Sequence, residues 1–226
     1  MQQYLRPSET IDYEHPRVQE FVSKTIEGLQ SDIDKAKALY LRVRDYVLYD
    51  PYVASFDPEV FKASYTLKTR RNYCIPKAVL LAAVARAAGI PARLGFADVK
   101  NHLASEKLLE ILRTDVFAFH GYTELYLSNK WVKATPAFNR HLCKVFRVKP
   151  LEFDGLNDSV FHEFSTDGHK HMQYLHDHGH FAEVPFQLLD ETMRKFYPHW
   201  FEKEMPATLS ELGGEDEVYT ENREAS

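Results

Sequence analysis

Two side chains stand where nucleophilic chemistry is possible. Cys74 lies two residues before Pro76 and directly upstream of the apolar run KAVLLAAVARAA, residues 77–88. Proline is tolerated in the first turn of a helix, because its missing N–H has no partner there in any case. The thiol is therefore expected at a helix N-terminus, where the dipole and the unpaired N–H groups favour a thiolate. The same N–H groups can hold an oxyanion. A free thiol is equally often an inert small hydrophobe in a core. His120 opens the alternating stretch HGYTELYL, residues 120–127. An imidazole can take a thiol's proton and return it to a leaving group, or it can simply pack as a strand residue.

The elements that must bring these two residues together can be read from the pattern. DYEHPRVQEFVSKTIEGLQ reads as a first helix entered at His15-Pro16, with Val18, Phe21, Val22 and Ile26 at helical spacing. SDIDKAKALYLRVRDYVLYD reads as a second, capped by Ser31 or Asp32 and ended by Asp50-Pro51. A loop with a short helix after Asp57-Pro58 leads to Cys74. The helix that follows is apolar almost all round and so should be central and buried. Gly89 and Ile90-Pro91 stop it. Lys77 and Arg86, its polar exceptions, are expected to reach the surface. ARLGFADV reads as a strand, and NHLASEKLLEILRT as a short helix. DVFAFHGYTELYLSNKWVKATPAF reads as an antiparallel hairpin turning at Ser128-Asn129-Lys130. Residues 139–180 give weak signals, and PFQLLDETMRKFYPHWF is partly helical. The fold class is α+β, with N-terminal helices and a buried central helix packed on an antiparallel sheet. Residues 1–205 are expected to form a single domain, and the acidic residues 206–226 a disordered tail.

Composition narrows the function. The chain carries 28 Lys+Arg against 33 Asp+Glu, a formal net charge of -5. That argues against nucleic acid as a partner. Neither a basic-then-apolar leader nor a membrane-length apolar run is present, which predicts a cytoplasmic protein with no membrane partner. Cys74 and Cys143 are the two cysteines. They do not form a disulfide framework, and free thiols fit that compartment.

Taken in order, the cysteine before a buried helix ending in GIPAR, the histidine that starts HGYTELYL with Glu124 four residues on, and a second strand beginning near Trp131 resemble the transglutaminase-like superfamily. The resemblance covers about residues 31–140, and VRDYVLYD resembles the family's helix before its active-site loop. It implies a papain-like Cys-His core in a small, bacterial-type single-domain member. Cys74 would be the nucleophile and His120 the general base and acid. The reaction would be hydrolysis of an amide, or acyl transfer, through a thioester. The substrate would be a peptide, a protein or a small amide, with no cofactor. Oligomeric state is not legible.

One position departs from the family. Its third catalytic member is an Asp just before a Pro, and here WVKATP puts Thr135 in that place. A threonine hydroxyl can accept a hydrogen bond from the imidazole but carries no charge. Either Thr135 orients His120 alone, or Asn139, Asp98 or Asp154 takes the role, or catalysis is lost and a binding module remains. A separate histidine-rich stretch, His162 to His180, offers ligands suited to zinc, copper or nickel. A strand would set His176, His178 and His180 on one face as metal candidates. The HExxH spacing is absent, so a solvated loop or a cleft wall near Cys74, with His171 in support, reads equally well.

Overall fold

The computed structural model describes residues 1–102, 104–160, 172–202, 207–214 and 216–224. His162, His169 and His171 lie outside the described residues.

Local signals fix the N-terminal helices. Helix α1 (Pro16–Thr25) carries proline in its first turn, and the His15 ring accepts the Arg17 N–H at 3.1 Å. In α2 (Asp32–Tyr46) the Ser31 hydroxyl accepts the Asp34 N–H at 3.1 Å. The chain then runs through β1 (Leu48–Tyr49), a 3-10 turn at Pro58–Phe61 and α3 (Ala63–Thr69) to β2 (Arg71–Asn72). Strands β1 and β2 pair in parallel, Leu48 with Arg71 and Tyr49 with Asn72. So α2 ends at a short strand rather than running to Asp50-Pro51, and that strand lays Tyr49 beside the approach to Cys74.

Helix α4 (Cys74–Ala87) is central, as its composition requires. It packs on the sheet at one side and against α1, α2 and α3 at the other. Gly89 ends it at φ +82, where glycine pays no steric penalty. Lys77 and Arg86 do not reach the surface; both are buried. Each serves carbonyls that other elements leave unpaired. The Lys77 ammonium donates to Arg44 O at 3.0 Å and to Val47 O, closing the end of α2. The Arg86 guanidinium donates to Ala92 O at 3.1 Å, to Arg6 O at 2.6 Å and to Ala182 O. Burial draws the Lys77 pKa down to about 7.

The sheet is antiparallel. It contains β3 (Ala92–Asn101), β4 (Val116–Leu127), β5 (Lys130–Ala134) and β6 (Met172–Phe181), in the order β5-β4-β3-β6. Helix α5 (Glu106–Leu112) lies between β3 and β4 in sequence. The β4–β5 turn is made by Ser128 and Asn129, both at positive φ, the twist-matched form of a two-residue hairpin. Strand β6 sits at the sheet edge, largely exposed and with two register shifts against β3. These features erase the alternation by which a strand is recognised.

Helix α6 (Arg140–Val145) precedes β6, and α7 (Phe186–Phe196) follows it. Where acidic composition predicts a disordered tail, the described residues form α8 (Ser210–Gly213) and α9 (Glu217–Glu224). Two apolar side chains anchor them. Leu209 is buried, and the buried Tyr219 packs edge-on against Tyr52 with ring centroids 5.5 Å apart. No helix among the described residues is long and apolar enough to cross a membrane.

Candidate active site

Cys74 is the first residue of α4. No side chain caps this helix, so its first N–H groups remain available. Strand β4 passes close by because His120 is followed by a glycine. A Cβ on Gly121 would lie 2.9 Å from the Ile75 Cα. A glycine inside a strand pattern signals such an approach, and this was the sequence signal for a residue that the motif reading passed over. Below it, the Thr123 hydroxyl donates to Ala78 O at 2.8 Å and ties strand to helix.

Cys74 and His120 line one cavity of about 90 Å³. Burial pushes the Cys74 thiol up to about 11, against the opposing pull of the nearby Gly121, Ile75 and Cys74 backbone N–H groups. Thus the helix N-terminus is present, yet desolvation outweighs it, and the resting thiol keeps its proton at neutral pH. Burial also draws His120 down to about 4. At neutral pH the cavity presents a thiol and a neutral imidazole able to accept a proton.

The approach to His120 is strained. Phe119, the residue before it, has φ +59, a left-handed conformation that a bulky side chain rarely adopts. The register slips here: Ala97 pairs with His120 but Val99 pairs with Phe117, so β4 carries one extra residue as a bulge. Two contacts hold the bulge. The buried Asp98 carboxylate accepts the Phe119 N–H at 2.9 Å, and the Phe119 ring stacks on Phe96 at 4.4 Å. The same Asp98 oxygen lies 2.8 Å from His178 Nε2. A carboxylate only accepts, so that nitrogen carries the proton.

The candidate third members fall in different places. Thr135 is buried, its N–H donating to Ser159 O at 3.0 Å and its carbonyl accepting from the Tyr40 hydroxyl at 3.0 Å. Its own hydroxyl has no hydrogen-bond partner among the described residues. Asn139 is buried, and its side-chain oxygen accepts the Tyr49 N–H at 3.1 Å. Asp154 is exposed and accepts the Leu156 and Asn157 N–H groups, which hold it at about 2. Asp98 touches the residue before His120. Desolvation is the cause of the His120 shift. The Asp98 clamp on the bulge joins β3 to β4 and is legible only once those strands are paired.

His176, His178 and His180 do lie on a strand; the His176 and His178 rings meet edge to face at 4.7 Å, and His178 is engaged by Asp98. Among the described residues no three His, Cys, Asp or Glu side chains are grouped to hold a metal ion.

The other residues of the sequence pattern form a separate structural cluster. Glu124 pairs with Arg93, whose guanidinium lies 4.1 Å over the Trp131 ring. The arginine of GIPAR, the Glu four residues after His120 and the Trp of β5 are thus one contact that fixes the β3–β4–β5 register.

A cysteine at the start of a buried helix and a histidine on the antiparallel strand packed on that helix line one cavity, in a papain-like α+β arrangement. The transglutaminase-like superfamily model matches residues 19–136, over half of the chain, and the chain belongs to that superfamily. No curated protein matches it. Among solved structures it is similar to a candidate cysteine protease of Cytophaga hutchinsonii, at 22% identity and a TM-score of 0.46, over 59% of this chain. The match spans 40% of the length of that protein.

Proposed function

We propose that the chain is a cysteine-dependent amide hydrolase or acyl transferase. The carrying observation is the convergence of Cys74, at an uncapped helix N-terminus, and His120 on one cavity. The Cys74 sulfur attacks the carbonyl carbon of a carboxamide or peptide while its proton passes to His120. Backbone N–H groups at the helix start hold the oxyanion. The C–N bond then breaks, His120 gives its proton to the departing amine, and a thioester remains. Water or an incoming amine releases the acyl group. Because both groups rest neutral, proton transfer accompanies attack rather than preceding it. The substrate is a peptide, a protein or a small amide.

A non-catalytic binding module is the second reading. It is favoured by the raised thiol pKa and by Thr135 standing where the family has an Asp. Intact-mass measurement after exposure to activated acyl donors separates the two. An enzyme accumulates an acyl group on Cys74 and turns it over, and His120→Asn slows both steps. A binding module leaves Cys74 unmodified at neutral pH.

A further inference from the structure

We propose that this site takes a short apolar acyl donor, its alkyl group seated on a wall built by residues beyond the superfamily match. The proposal rests on Cys74 as the acyl acceptor. The match ends at residue 136, yet Leu189, Met193, Tyr197, Trp200 and Leu209 all line the cavity that holds Cys74 and His120. Leu108 and Leu112 of α5 complete the apolar surface.

Most polar side-chain atoms of this wall are already engaged. The Tyr197 hydroxyl accepts the Ala118 N–H at 2.8 Å and donates to Val116 O at 2.9 Å. Trp200 Nε1 donates to Ile111 O at 3.3 Å, and the Tyr73 hydroxyl donates to Ser55 O at 3.3 Å. The Ser55 hydroxyl accepts the Asp57 N–H at 3.2 Å. No Lys, Arg, Asp, Glu, Asn or Gln side chain is among the described residues that line the cavity. A donor bearing a carboxylate, an ammonium or a side-chain carboxamide would strip that group of water and offer it nothing in return. Size sets the other limit. The cavity is small, about 90 Å³, so a short alkyl group suits it better than a long one.

In the step itself the S–C bond to Cys74 forms and the bond from the carbonyl carbon to the leaving group breaks. The thiol proton moves to His120 and then to the leaving group or to water.

The test uses 4-nitrophenyl esters of butyrate, succinate and decanoate, with nitrophenolate release as the rate and intact mass as the site readout. The expected result is acylation of Cys74, with kcat/KM for butyrate about 100-fold above succinate and at least tenfold above decanoate. Met193→Ala, or the milder Leu189→Val, should raise decanoate relative to butyrate by about tenfold through the space released. Comparable acylation of Cys74 by butyrate and succinate overturns the selectivity and leaves the nucleophile standing. Unchanged chain-length preference in both wall variants overturns the placement of the alkyl group. Failure of every ester to acylate Cys74 overturns the nucleophile assignment beneath it.

Discussion

The superfamily-matched region, residues 19–136, and the segment from α7 onward meet the same cavity by different means. In the first, the reactive groups are placed by backbone: an uncapped helix start at Cys74, a glycine that lets β4 approach Ile75, and a bulge at Phe119 that delivers His120. In the second, contact is made by side-chain bulk, secured where the Tyr197 hydroxyl engages Ala118 and Val116 just upstream of that bulge. Backbone geometry tolerates little change, whereas an apolar wall can be resized one methylene at a time. The chemistry is therefore expected to be fragile in the first region and the choice of substrate adjustable in the second.

Variants can break that contrast. Cys74→Ser and His120→Asn should have the largest effect, lowering kcat/KM by about 10³ or more. Circular dichroism should show both still folded. A residual activity within tenfold of the parent would remove the reaction from this pair. Gly121→Ala comes next. Its added methyl meets the Ile75 backbone, so helix and strand must part, with activity falling about 100-fold for a shift on the order of 1 Å. A stability loss of about 1–3 kcal/mol should accompany it in urea melts. An unaffected rate would show that the close approach has no part in catalysis.

Asp98→Ala leaves the Phe119 N–H buried without its acceptor and should destabilise by about 1–3 kcal/mol. Its kcat should drop about tenfold at unchanged KM, since it acts on His120 only through the bulge. A KM change alone would place Asp98 in binding instead.

The smallest effect is read from pH. The folded His120 titrates at about 4 against 6.5 for a free imidazole, so the unfolded chain takes up the proton first. The stabilisation is full above pH 6.5 and is lost as pH falls toward 4. Between pH 7 and 5 the wild type should lose about 2 kcal/mol more than His120→Asn. Equal slopes would mean that the ring is hydrated in solution. In a separate series at alkaline pH, iodoacetamide labelling of Cys74 should climb only as pH approaches 11.

The sequence alone determined the pieces that local physics dictates. Proline and serine marked the starts of α1 and α2, apolar periodicity marked the buried α4, and alternation on either side of Ser128-Asn129-Lys130 marked the β4–β5 hairpin. With the order of Cys74, His120 and Trp131, these carried the family and the two candidate reactive residues. Only the tertiary structure decided what those residues meet. Whether the helix dipole or desolvation governs the Cys74 thiol depends on how much water neighbouring elements exclude. Lys77 and Arg86 turned inward because distant carbonyls needed donors. Asp98 found Phe119 across a bulge visible only when β3 and β4 are paired, and His178 across the pairing of β3 with β6. The acidic tail packed because Leu209 and Tyr219 reached an apolar surface made by residues far away in the chain. Periodicity and capping are properties of neighbours in sequence, whereas burial, pKa and cavity shape are sums over neighbours in space.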